Sequence, residues 1–149
     1  MKRIIIPLLL ISAVAYSQPY ASIGFTNKGV NGGIGVLAGG IEMNISYDHP
    51  MSRVDKPAVL SLSAGKLFMI TEDNEGKYWT AVTSVGYANC TYSDLSTYES
   101  DGKITKVSKF MPLYTIDLGY NSNLGRISFV AKRCETMYYG IQMRCFFYR

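Results

Sequence analysis

Apolar and polar side chains alternate most regularly between residues 114 and 149. Tyr114, Ile116, Leu118 and Tyr120 interleave with Thr115, Asp117, Gly119 and Asn121, and a period of two sends successive side chains to opposite faces of an extended strand. After a turn at residues 121–125 (NSNLG) the pattern resumes. In the last segment Tyr139, Ile141, Met143, Cys145 and Phe147 share one face, and Tyr138, Gly140, Gln142, Arg144 and Phe146 the other. Near the start of the chain, Ile23 and Phe25 stand opposite Ser22, Gly24 and Thr26, and residues 27–33 (NKGVNGG) have the composition of a turn. Ile34, Val36 and Ala38 then fall on even positions but Ile41, Met43, Ile45 and Tyr47 on odd ones. Either a bulge or a turn at Gly39 and Gly40 produces that change of parity. Residues 48–57 read as a polar loop bracketed by prolines, residues 71–77 as a turn, and residues 93–103 as a mobile loop. Leu60 and Leu62, and then Trp79, Val85 and Tyr87, mark the strands between them.

No run of ten or more residues after Gln18 has a helical period. A direct count gives seven strands, with an eighth hidden in an over-long segment that breaks either at Gly39 and Gly40 or at Pro112, which would interrupt a central strand. The pattern predicts an all-β chain folded as a single antiparallel up-and-down barrel of about eight strands.

Composition adds a destination. Lys2 and Arg3 precede an apolar run, Ile4 to Tyr16, and small residues lead to Ser17, the layout of a cleaved secretory signal peptide. The expected organisation is therefore a signal peptide over residues 1–17 and a β-barrel domain over residues 18–149. Loss of Lys2 and Arg3 lowers the net charge from +4 to +2, too little to favour nucleic acid as a partner. Cys90, Cys134 and Cys145 are an odd number for an exported chain, and three pairings are open. Cys145 lies on the apolar face of the last strand, where a thiol packs as a small hydrophobe. That leaves Cys90 and Cys134 as the favoured pair if one forms.

Alternation by itself does not say whether the apolar face turns inward or outward, but the polar face does. It carries Ser, Thr, Gly, Asn and Gln with scattered charges such as Glu42, Asp117, Lys132 and Arg144, whereas a sheet facing water is expected to be rich in Lys and Glu. Small neutral side chains suit a narrow lumen, in which Glu42, Asp117, Lys132 and Arg144 would form a buried charge network. On the apolar face Trp79 and Tyr87, and Tyr114 and Tyr120, bracket a strand, and Tyr47 closes another. Spacings of six to eight residues on tilted strands cover about 14–19 Å, against the ~25 Å apolar band of membrane barrels.

An export signal, about eight alternating strands, Gly-rich and Tyr-rich hairpins and the terminal run GIQMRCFFYR (residues 140–149) together resemble a small outer-membrane β-barrel protein of a Gram-negative envelope. The resemblance is one of pattern over the whole mature chain. It implies a non-enzymatic protein with a structural or surface-interaction role carried by its loops. It also implies two partners, the lipid bilayer and the outer-membrane insertion machinery. Such barrels commonly end on an aromatic residue read by that machinery, a place Phe147 or Tyr148 would take, although this chain ends on Arg149.

Two other readings use the same residues. A soluble exported lipocalin-like barrel or sandwich would bind a hydrophobic ligand in a pocket lined by Leu60, Leu62, Ile116 and Leu118. A loop-based envelope enzyme would use His49, the sole histidine, with Asp48 and Ser52. The GxGxxA pattern from Gly33 to Ala38 binds dinucleotides only where a strand enters a helix, and here the following residues alternate as a strand. No cofactor is implied, and neither a CxxC nor a second histidine suggests zinc.

Overall fold

A computed structural model describes residues 17–51, 57–72, 77–94, 105–122 and 125–147. Most of the proposed signal peptide, Ser52 and residues 95–103 of the proposed mobile loop lie outside the described residues. Eight strands follow one another: β1 (Gln18–Thr26), β2 (Gly29–Ala38), β3 (Ile41–Pro50), β4 (Ala58–Glu72), β5 (Tyr78–Asp94), β6 (Thr105–Ser122), β7 (Gly125–Arg133) and β8 (Met137–Phe146). Each pairs antiparallel with the next, and β8 returns to β1 to close the barrel. Closure gives every strand two neighbours, so the unpaired edges of an open sheet largely disappear.

The eighth strand comes from Gly39 and Gly40. Ala38 pairs with Ile41 across a two-residue turn in which both glycines have positive φ, 57° and 78°, the backbone of a tight hairpin whose twist matches its strands. Pro112 breaks nothing. It sits within β6 opposite Tyr87, and the β6–β7 ladder begins only at Tyr114, so it occupies a stretch with one neighbour, where a missing N–H is tolerated. The register slip that does occur is in β4, between Met69 and Thr71.

Two turns are shorter than composition suggests. Only Asn27 and Lys28 separate β1 from β2, and β3 runs through Asp48 and His49 as far as Pro50. Polar composition reads as loop because a local window cannot see a partner across the barrel, and Asp48 has one.

The barrel has two unlike ends. At one, which we call the termini end, lie Gln18, Phe147, the turn at residues 39–40 and the strand ends Glu72, Tyr78, Ser122 and Gly125. At the loop end lie residues 27–28 and 134–136 and the strand ends Pro50, Ala58, Asp94 and Thr105. There β5 and β6, with 17 and 18 residues, project beyond β7. The apolar faces point outward: Ile23, Phe25, Ile34, Ile45, Ile116 and Ile141 are exposed, while Ser46, Thr80, Asp117, Ser128 and Gln142 are buried in the lumen.

Candidate functional site

Alternation brings one polar side chain in two to the lumen from every strand, and a barrel of eight strands is just wide enough for those side chains to fill it. The chain adds room where large groups meet. A Cβ on Gly35 would stand 2.4 Å from the Tyr20 ring, and one on Gly119 would stand 2.1 Å from Arg126 Nε. Glycine at these positions lets a phenol and a guanidinium lie flat over the neighbouring strand.

Nearest the termini end is an ionic cluster. Arg144 on β8 donates through Nη1 to Glu42 Oε2 at 2.6 Å and through Nη2 to Asp117 Oδ2. Arg126 on β7 donates to the other oxygen of Asp117 at 2.5 Å, and Ser128 donates to Asp117 Oδ2 at 3.2 Å. Tyr20 donates to Glu42 Oε1 at 2.9 Å and accepts from Asn44 at 2.8 Å. The Arg144 guanidinium also lies 5.0 Å from the Tyr20 ring centroid, within the range of a cation–π contact.

Further up, Lys132 Nζ donates to Asp48 Oδ2 and to Ser46 Oγ, both at 3.0 Å. Ser46 lies 2.8 Å from Ser61, and Asn31 donates to Asp48 at 2.9 Å while accepting from Gln142 at 2.9 Å. Of the four residues proposed for a lumen network, Glu42, Asp117 and Arg144 are in direct contact. Lys132 is in the lumen as well but bonds to Asp48 instead. Sequence reasoning missed Arg126, whose alternation with Ile127 across a turn boundary gave its face away only weakly, and assigned Asp48 to a loop. Glu42, Asp48 and Asp117 balance Arg126, Lys132 and Arg144, and these six are the buried charged side chains among the described residues.

Toward the loop end the lumen turns apolar, where Val59, Ala88, Cys90, Leu113 and Tyr138 pack together with Tyr92, Met111 and Cys134 beside them. Between these regions remains a cavity of ≈ 20 Å³ bordered by Ser84, Asp117, Lys132 and Arg144. It is about the size of one water.

The outer wall is largely apolar. Leu60, Leu62, Ile116 and Leu118, the proposed lining of a ligand pocket, all face outward and are 44–58% exposed. This counts against the lipocalin-like reading, since the proposed lining faces away from the interior. The Trp79 and Tyr120 rings meet at a tilt, centroids 5.4 Å apart, near the termini end, and Tyr47, Tyr87, Tyr114 and Tyr139 stand exposed toward the loop end. His49 is on this outer wall, with Nδ1 3.5 Å from Tyr47 Oη, while Asp48 points into the lumen. Strand alternation separates the two, so they do not form an acid–base pair. Gly33 and Gly35 lie within strand β2 with no helix after them. Among the described residues no three His, Cys, Asp or Glu side chains are grouped to hold a metal ion.

No protein-family model matches this sequence, and no curated protein does either. Solved structures do resemble it. The N-terminal β-barrel domain of Pseudomonas aeruginosa OprF superposes with a TM-score of 0.56 at 16% identity, covering 89% of this chain and 98% of that one. Neisserial surface protein A (NspA) superposes with a TM-score of 0.50 at 8% identity, covering 88% of this chain and 96% of that one. At such identities the likeness is one of fold, and the fold of this chain is a closed, antiparallel, eight-stranded up-and-down barrel.

Proposed function

We propose that this chain is an exported, non-enzymatic barrel embedded in the outer membrane, with a structural or surface-interaction role carried by the segments at its loop end. The observation that carries the reading is the inverted polarity of the wall: exposed Ile, Leu, Phe and Met surround a lumen whose buried charges are paired. In water such a surface would drive association, whereas in a bilayer it meets its own kind and the closed ladder pairs the backbone groups wherever neighbouring strands overlap. The connections fit the same picture. The strand bounds leave 2, 5 and 2 residues between strands at the termini end and 2, 7, 10 and 3 at the loop end, and the two longest connections thus fall on the side that outer loops occupy in membrane barrels.

In this reading residues 1–17 direct export and are removed. The insertion machinery engages the last strand near Phe147, whose N–H donates to the Pro19 carbonyl at 2.9 Å and extends the β1–β8 seam. The lipid bilayer is the principal partner. A filled interior argues against a pore.

Fractionation of cells expressing the full chain, followed by a detergent gel with and without boiling, tests the proposal. Recovery in outer membranes with a heat-dependent change in mobility is expected. Recovery as a soluble protein would overturn it.

A further inference from the structure

We propose that Cys90 and Cys134 close a disulfide that fastens the projecting β5–β6 hairpin to the β7–β8 turn at the loop end of the barrel. The proposal rests on the export reading above, because such bonds persist only in an oxidising compartment.

Three observations carry it. Cys90 Sγ lies 3.9 Å from Cys134 Sγ, already in contact, so a modest rotation of the side chains brings the sulfurs to bonding distance. Next, the two residues belong to parts of the barrel that no ladder joins. β7 stops pairing with β6 at Tyr114 and Arg133, which leaves β6 from Thr105 to Leu113 with β5 as its only strand neighbour. The described contact that ties this hairpin to the β7–β8 turn through charge is one exposed ion pair, Lys109 to Glu135 at 3.4 Å, and such pairs hold little. Finally, the third cysteine cannot compete. Cys145 lies on the outer face toward the termini end, paired with Ala21.

Accessibility sets the order of events. Cys90 is buried and Cys134 half-buried, so Cys134 meets the oxidant, a disulfide carried by a thiol–disulfide oxidoreductase or by glutathione. The Cys134 thiolate attacks one carrier sulfur and the other departs as a thiolate. Cys90 then attacks the Cys134 sulfur and expels the second carrier thiolate, which takes up the Cys90 proton. Two electrons pass from the protein thiols to the carrier disulfide, which becomes two thiols.

The test counts thiols in the full chain isolated from the outer-membrane fraction, quenched in acid, denatured and tagged with a maleimide before and after reduction. One tag before reduction and three after are expected, with the tryptic segment 78–103 linked to 134–144. Three tags before reduction, or a link through Cys145, would overturn the pairing while leaving the location intact. Cys134→Ser should raise the unreduced count to two, and a count of zero would refute the assignment. Wild-type barrel refolded in detergent and titrated with glutathione disulfide separates the two proposals. A 90–134 bond formed there from a protein that cells keep in the cytosol sinks the export reading alone, and failure to form it sinks the pairing.

Discussion

Asp117 holds two arginines at once, Arg126 through one oxygen and Arg144 through the other, and is itself buried. Replacing it with leucine leaves Arg126 without its carboxylate and Arg144 with Glu42 alone, and breaking a buried pair in this way costs roughly 3–5 kcal/mol. Asp117→Leu is therefore expected to lower the unfolding free energy by about that amount, read from urea unfolding of the barrel in lipid vesicles. Lys109→Ala provides the contrast at the same scale. Its partner is Glu135, the side chains are 59% and 39% exposed, and the same measurement should move by less than about 0.5 kcal/mol. Salt should separate the two as well, since exposed pairs are screened and buried ones far less so.

At the scale of an element, the β2–β3 hairpin depends on a backbone shape rather than on contacts. A side chain at Gly39 or Gly40 would meet nothing within 4 Å, yet both residues have positive φ. Space is available and conformation is not. Gly40→Val should cost roughly 1–2 kcal/mol, the penalty of a branched side chain in the left-handed region, whereas Gly39→Asn should be nearly neutral because asparagine is favoured at the first position of such turns. Unfolding midpoints of the two variants in vesicles check the pair. Equal effects would mean that packing, not φ, decides this turn.

At the scale of the whole molecule, the medium is the question. Ile116 lies on the outer wall between Tyr114 and Tyr120, and an arginine there would face hydrocarbon in a membrane but water in a soluble barrel. Ile116→Arg should cost about 2–4 kcal/mol in vesicles if the site is near the bilayer midplane, and a change within about 0.5 kcal/mol would place the wall in water. Trp79, the only tryptophan, is half exposed on the same wall beside Tyr120. Its emission should shift to the blue when the refolded chain enters vesicles. Lipids brominated near the headgroup should quench it more than lipids brominated at the chain ends, because indole rings settle at the interface.

What the sequence determined by itself is the period. Alternation at Tyr114–Tyr120 and Tyr139–Phe147 fixes extended strands and two faces, because the geometry of a strand leaves no other outcome, and the small neutral residues of the polar face indicate which side is enclosed. The eight-stranded barrel was legible to that extent, with one strand hidden until the φ angles of Gly39 and Gly40 made their turn definite. Only the tertiary structure decided which lumen residues meet. Glu42 and Arg144 are 102 positions apart, and Lys132 and Asp48 are 84 apart. A strand pattern assigns a face but not a height along the barrel, and height is set by the register of all eight strands together. For that reason Lys132 met Asp48 rather than the other three charges, Arg126 entered a cluster that local reading had not given it, and Asp48 and His49, adjacent in sequence, ended on opposite sides of one wall.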